Sequence, residues 1–411
     1  MQFGVLVTVL SITVFCAQAV HSETFTVQQL VEIAMQNSSL EKANELESKS
    51  KAELVNQAGV WENPNFQIGS EVKDEVGGST RSIKYGLSQS FYLPGKYSAR
   101  KRVFQADADI GKIELASNTL TLRSRIWSLI YEYKAAKEKL SHADERLGRI
   151  KTAQSFLKSR VFAAPQKKAE AGIVTAKLIV LQKEQLHIQV QKESLWNDLN
   201  LYLQLSTEPE IKSEWYVKAP QLSKAELMQQ LSTSNPEVKI QNSRLVQSRE
   251  QLGLAKVDAW PGFNISGNYS EGSGLNPEKV YGLGVSIPLT IFNINTAGKA
   301  SAGLQVSSQE AKQVYVQAKV LKDFKVAFLN YEMSKKLVTS LPVKKINELE
   351  KAIRDTDRDF KRGQVDLLTY LESDSQHFES LSAILEAQVE LVKSISDIQI
   401  LTGRNDLMVG N

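Results

Sequence analysis

The chain has 411 residues, and its 50 Lys plus Arg against 46 Asp plus Glu leave a formal charge of only +4. Basic residues are interspersed with acidic ones and form no block, which excludes the basic stripe of a nucleic-acid binder. The sole cysteine, Cys16, lies close to the N-terminus, so the rest of the chain offers neither disulfides nor thiolate metal sites.

Val5 to Val14 is an apolar run broken only by Thr8, Ser11 and Thr13, and Ala17-Gln18-Ala19 is a small-x-small site. Residues 1–22 read as a secretory signal, cleaved after Ala19 or Ser22, although Met1-Gln2-Phe3 carries no positive charge; the other reading is a buried first helix. Cys16 is a candidate lipid-attachment site, against which Thr13-Val14-Phe15 lacks the small residues that reaction needs. No later stretch reaches the ~18–20 apolar residues of a spanning helix, so any contact with a bilayer falls to strands or to the surface.

The remainder follows one plan twice, over residues 23–215 and 216–411. Thr26 with Gln29 forms a capping-box pattern, and Ser223 with Glu226 repeats it. The helices that follow are expected to run to about Val60 and Ala259, ending at Trp61-Glu62-Asn63-Pro64 and Trp260-Pro261, since proline biases the residue before it to extended geometry. A hairpin comes next in each copy, over 64–92 and 262–290. Phe66, Ile68 and Val72 alternate with Gln67, Gly69, Glu71 and Lys73; Phe263, Ile265 and Tyr269 alternate with Asn264, Ser266, Asn268 and Ser270. Such strands fit a tilted membrane strand of about ten residues with a lipid face and a wet face. A soluble sheet with one buried face has the same alternation.

The return strands run into helices at Tyr85 to Lys96 and at Tyr281 to Leu289. Pro94-Gly95 and Pro288 mark these strand–helix junctions, and Pro94 has its angle preset for a first helical turn. Residues 96–160 contain no proline and predict a helix about 100 Å long at ~1.5 Å per residue. Leu122, Ile126, Leu129, Tyr133, Ala136 and Leu140 give it a coiled-coil seam. The chain turns back at Phe162-Ala163-Ala164-Pro165, and a second helix reaches about Leu205. In the second copy the expected helices span about 297–361 and 364–402, with a break at Lys361-Arg362-Gly363-Gln364. The last helix carries two adjacent seams: Ile384, Ala387, Leu391, Ser394, Ile398 and Leu401 beside Phe378, Leu381, Leu385, Gln388, Val392 and Ile395. Two seams require two neighbours, as in a curved helical wall or a broad bundle core.

Four strands cannot enclose a channel, and a lipid-exposed sheet cannot leave open edges. Membrane strands here would therefore be pooled from several chains, with Gln67, Lys73, Ser82, Lys84, Ser88, Asn264, Ser266 and Asn268 facing water.

The two-copy plan resembles the TolC family of outer-membrane efflux proteins over essentially the whole chain after the signal. The resemblance is carried by Ser90-Phe91-Tyr92-Leu93-Pro94-Gly95-Lys96 with Arg100 and Ala106, and by Ser286-Ile287-Pro288-Leu289-Thr290-Ile291-Phe292-Asn293 with Gly298. Asn235-Pro236-Glu237-Val238 and Phe360-Lys361-Arg362-Gly363 also match, and Leu93-Pro94-Gly95-Lys96 is most similar to the heavy-metal cation efflux branch. The resemblance implies a mainly α chain with a β-barrel part. It further implies a homotrimer whose twelve-stranded outer-membrane barrel continues into a long periplasmic α-helical barrel. It implies docking of the helix tips, here Ala163, Ala164, Pro165 and Arg362, Gly363, Gln364, Val365, onto a periplasmic adaptor. It also implies a partner pump in the inner membrane, of the resistance-nodulation-division type. Acidic gate positions beyond the second tip correspond to Thr369 and Glu372, so only one of the two is acidic here. Ala163 stands where the family has glycine, and Asn37-Ser38 where it has Asn-Pro.

The competing function is a secreted periplasmic coiled-coil scaffold or adaptor. An enzyme lacks support: no Gly-x-Ser-x-Gly, P-loop or His-Glu-x-x-His pattern occurs, and no cofactor or metal is implied. His142, His187 and His377 are scattered on helical tracts. Asp355, Asp357 and Asp359 are interleaved with Arg354, Arg358 and Lys361 and read as a solvated, ion-paired face.

Overall fold

The computed structural model describes residues 24–75, 78–93, 95–159, 165–212, 217–273 and 278–407. The signal segment with Cys16, and Pro94, Ala163 and Ala164, lie outside them.

Strand β1 (Thr24–Phe25) leads into α1 (Val27–Asn37) and α2 (Ser39–Ala58). The capping box forms: the Thr26 hydroxyl accepts from the Gln29 N–H and the Gln29 side chain accepts from the Thr26 N–H. The helix expected to continue to Val60 is split, because Ser38 turns to extended geometry and its hydroxyl caps α2 through the Glu41 N–H. β2 (Asn65–Glu75) and β3 (Gly78–Phe91) form the first hairpin, followed by α3 (Lys96–Lys158) and α4 (Pro165–Leu203). β4 (Glu210–Ile211) then pairs in parallel with β1.

In the second half, α5 (Lys224–Ser234) and α6 (Pro236–Val257) replace the single helix expected to Ala259. Asn235 caps α6 through the Val238 N–H, and Pro236 occupies the first helical position, where its missing N–H costs nothing. β5 (Phe263–Ser273) and β6 (Lys279–Ser286) form the second hairpin. The helix expected over 297–361 is two, α7 (Thr296–Ser340) and α8 (Lys345–Lys361). Pro342 stops it: Leu341 is driven to φ −118°, ψ 66°, away from helical geometry. α9 (Leu367–Thr402) completes the chain.

The hairpins join into one antiparallel sheet of order β2-β3-β5-β6, open at both edges. Next to it, α2, α3, α6 and α7 lie side by side; farther away the order is α4, α3, α9, then α7 and α8. α9 packs on α3 and on α7 and α8, and the residues of both predicted seams are buried apart from half-buried Leu401. The main core gathers Ile126, Leu129 and Tyr133 of α3, Leu391, Ile395 and Ile398 of α9, and Phe324, Phe328 and Tyr331 of α7. Each such aliphatic burial contributes roughly 1.5–3 kcal/mol.

The two halves close alike. Asn37 Nδ2 donates to the Leu203 carbonyl and Asn235 Nδ2 to the Leu401 carbonyl, each at 2.7 Å. A left-handed residue ends the last helix of each half, Gln204 at φ 56° and Gly403 at φ 67°. A Cβ at Gly403 would lie 2.7 Å from the Ser234 carbonyl oxygen, so glycine is required there by space as well as by angle.

Candidate channel wall and helical tip

Register sorts the sheet into two faces. Phe66 opposes Leu87, Ile68 opposes Tyr85, Tyr85 opposes Tyr269, and Tyr269 opposes Tyr281, so the apolar residues share one side. Across the strands Tyr85 stacks on Tyr269 at 6.2 Å between centroids, and Tyr281 meets Tyr269 tilted at 5.1 Å. Among the described residues no element covers this side: Leu283 is 94% exposed, and Phe66, Ile68, Val72, Leu87 and Val285 are exposed too. The opposite side presents Gln67, Ser82, Lys84, Ser88, Asn264, Ser266 and Asn268, with Lys84 paired to Glu71. Gly282 and Gly284 sit in this polar face because a Cβ there would meet the Asn268 amide and the Ser266 hydroxyl. The set of residues expected to face water therefore does share one side.

Of the junction residues, Gly95 precedes α3 at φ 105°, a conformation suited to glycine. Lys96 lies over the Tyr92 ring and pairs with Asp258 at 3.0 Å. Pro288 stands two residues past the end of β6 and has no N–H to offer a longer ladder.

At the far end of the helices, α8 terminates at Arg362 and Gly363. The Gly363 N–H donates to the Phe360 carbonyl and the Gln364 N–H to the Asp359 carbonyl, with Gly363 at φ 76°. Arg362, Gly363 and Gln364 are exposed, while Val365 is half-buried against the cluster of Phe360, Leu367 and Tyr370. Phe360 stacks on Tyr370 at 4.5 Å, and the Tyr370 hydroxyl donates to Asp357 at 3.1 Å. Burial first, and then the Asp357 charge, push that phenol's pKa up. Asp366 caps α9, accepting from the Leu368 and Thr369 N–H groups and from the Thr369 hydroxyl, and these bonds hold its carboxyl below the usual range. Thr369 is thus engaged in the cap. Glu372, one turn on, is exposed and accepts from Gln376 at 3.0 Å. Pro165, at the start of α4, is exposed.

Sequence reading missed the strongest polar feature near this tip. Asp374, fully buried, accepts from Arg146 Nε at 2.6 Å and Arg149 Nη2 at 3.2 Å. Arg146, also buried, donates to Glu184 at 3.0 Å and to the Ser375 hydroxyl at 3.1 Å, and lies over the Phe378 ring. Lys177 donates to the same Ser375 hydroxyl. The network ties α3, α4 and α9 together one turn beyond Glu372. Its signal was available: Asp374 stands three residues after Leu371 and four before Phe378, an acid at a seam position. Beside it, His142 of α3 and His377 of α9 line a cavity of about 350 Å³ with Arg149, Glu350 and Arg354. Among the described residues no group of three or more His, Cys, Asp or Glu is arranged to hold a metal ion.

No protein-family model and no curated protein sequence matches the chain. Its fold is that of outer-membrane channels. CusC, known from structures of its folding and transmembrane channel formation, superposes with a TM-score of 0.75 over 92% of each chain at 13% identity. The outer-membrane channel OprN gives 0.74 over 93% of this chain and 90% of its own, at 16% identity. The open-state MtrE outer-membrane channel of Neisseria gonorrhoeae gives 0.72 over 92% and 89%, also at 16%. More particularly this is the TolC-family fold, so the resemblance read from the junction motifs holds at the level of structure. These neighbours are channels, not enzymes. No helix among the described residues is long and apolar enough to cross a membrane.

Proposed function

We propose that the chain is the outer-membrane channel of a tripartite efflux system. The observation that carries this reading is the open four-stranded sheet with one bare apolar face and one polar face. In water that face is an aggregation hazard; in lipid it is a wall. Its two edges cannot stay unpaired in hydrocarbon, so β6 of one copy pairs with β2 of the next. Three copies make a twelve-stranded barrel, wide enough for a water-filled lumen. The helical wall likewise exposes apolar residues on its flanks. Its outer members α4 and α7 expose Ile179, Leu186 and Val190, and Val326, Leu329 and Met333, at the helical spacing of an unpartnered seam.

The organisation is a signal peptide at 1–22 and two repeats, 23–215 and 216–411, the paired Asn37 and Asn235 bonds supporting the second division. The tips at Ala163-Ala164-Pro165 and Arg362-Gly363-Gln364-Val365 dock a periplasmic adaptor, which links the duct to an inner-membrane pump of the resistance-nodulation-division type. Glu372 is the gate residue of choice, since its carboxylate is exposed while the Thr369 hydroxyl serves the cap. Transport is passive. The cargo is metal cations or drugs.

Cell fractionation tests this. The protein is expected in outer-membrane fractions as a detergent-stable trimer, and a deletion strain should lose resistance to part of a panel of metals, dyes and antibiotics. Gly363→Trp should abolish that resistance with the trimer intact. A soluble periplasmic monomer would instead identify a coiled-coil scaffold.

A further inference from the structure

The stretch between β6 and α7 is apolar and bare: Leu289 is 77%, Ile291 72% and Phe292 100% exposed, with Ile287 and Ile294 exposed beside them. Trp61 and Trp260, also exposed, precede β2 and β5. These residues lie at or just past the helix-side ends of the strands, and the stretch ends beside the last turn of α6, where Asn295 Nδ2 donates to the Ala255 carbonyl. An aromatic cluster marks the same level on the apolar sheet face, Trp61 on Phe91 at 5.6 Å and Phe91 on Phe263 at 5.4 Å.

Beside and just below it, the ends of the adjoining helices carry basic residues. Arg100 and Lys101 fall in the second turn of α3, Lys256 in the last turn of α6 and Lys299 in the first of α7. At ~1.5 Å per residue, Arg100 and Lys101 sit roughly 6–9 Å beyond the junction. A polar headgroup layer is about that deep, since a bilayer of ~40–45 Å encloses a hydrocarbon core of ~30 Å. Two further cations at this level are already matched: Lys96 by Asp258 at 3.0 Å and Arg102 by Glu250 at 2.7 Å. Among the described residues, Arg100, Lys101, Lys256 and Lys299 have no carboxylate partner.

We propose that residues 287–294, with Trp61 and Trp260, form a collar seated in the phospholipid leaflet facing the periplasm, and that Arg100, Lys101, Lys256 and Lys299 engage its anionic headgroups. The proposal rests on the reading of the sheet as membrane-spanning and adds to it a second, non-strand contact that selects lipid charge. Indole rings favour the interface for their mixed polarity, and cations beside them meet phosphate. A second copy of the chain is the other possible cover for an apolar segment, but it would leave the four cations unmatched.

The full chain, with Trp61 and Trp260 replaced by phenylalanine, is reconstituted into vesicles of phosphatidylcholine with or without phosphatidylglycerol. A tryptophan reporter is placed by Phe292→Trp, or on the sheet by Leu283→Trp. Quenching by lipids brominated near the headgroup should be strong for Phe292→Trp and weak when the bromine is at the chain end. If Leu283→Trp is quenched and Phe292→Trp is not, the collar is absent while the membrane reading stands. If neither reporter is quenched, the membrane reading fails and the collar with it. Wild type should prefer vesicles containing phosphatidylglycerol by roughly five-fold per engaged cation. The Arg100→Gln, Lys101→Gln, Lys256→Gln, Lys299→Gln variant should show no preference. An unchanged preference, or none in wild type, overturns the headgroup contact.

Discussion

Replacing Asp374 with alanine removes the carboxylate on which Arg146 and Arg149 converge. Arg146 is nearly as buried as its partner, so the variant leaves a guanidinium inside the helical wall with Glu184, Ser375 and the Phe378 ring to compensate among the described residues. Breaking a buried pair in this way costs about 3–5 kcal/mol, because the surviving charge has lost both water and partner. The loss should be local, since the network joins only α3, α4 and α9. Hydrogen exchange of amides near 146–153 and 370–378 is the direct measure. At ~1.4 kcal/mol per decade, protection there should fall by roughly two to three and a half decades. Amides near Ile126 and Leu391, in the separate upper core, should keep theirs. The double variant Arg146→Met, Asp374→Leu should recover most of the loss, since an apolar pair of similar volume carries no desolvation cost. Protection unchanged within about half a decade in Asp374→Ala would show that water reaches Arg146, and the account of a dry tie between α3 and α9 would be wrong.

Three other outcomes follow from the same geometry. Leu283→Lys puts a charge on the bare face and should lower membrane-inserted yield through a cost of about 2–4 kcal/mol, whereas Ser266→Lys on the polar face should insert normally; equal yields would mean the faces are misassigned. Gly363→Ala should cost about 1–2 kcal/mol from its left-handed angle alone. Gly403→Ala should cost more, since its Cβ also meets the Ser234 carbonyl, and urea titration of the two variants in detergent checks the order. Burial, and then the Arg149 charge, hold His377 below its ordinary pKa of 6.5, against the opposing pull of Asp374 and Glu350. The unfolded chain therefore binds the extra proton first, so His377's contribution to stability is present above that pH and is lost as pH falls below it. Denaturant midpoints taken from about pH 7.5 to about pH 5.5 should drop in wild type and drop less in His377→Gln.

Period and punctuation made most of the fold legible. Alternation placed both hairpins, the three-four steps placed the seam of α3 and the double seam of α9, and the cap at Thr26 formed as spacing predicts. Failures came where one residue outweighs a pattern. Pro342 sits in a tract that is otherwise helical, and it alone divides α7 from α8. Ser38 and Asn235 cut their helices by offering a side-chain acceptor to the next turn. The pairing of β1 with β4 involves two residues from each side and has no period to read. At the tip, sequence placed the helix break at Gly363, where α8 ends, but seam analysis counted apolar residues only and passed over Asp374 and Arg146. A charge at a seam position is a stronger signal than another leucine, because it must be answered by a charge on a neighbouring element.

The strands of the sheet are of unequal length, and this bears on how the assembled ring would fail. β2, β3 and β5 run 11, 14 and 11 residues, but β6 has only 8. In a trimer, β6 would be flanked by its own β5 on one side and by a foreign β2 on the other, so the two shortest ladders lie next to each other three times around the circumference. Under heat or pulling force, rupture should start by peeling β6 away, and a staple across that joint would toughen the whole cylinder more than one placed anywhere within the first hairpin.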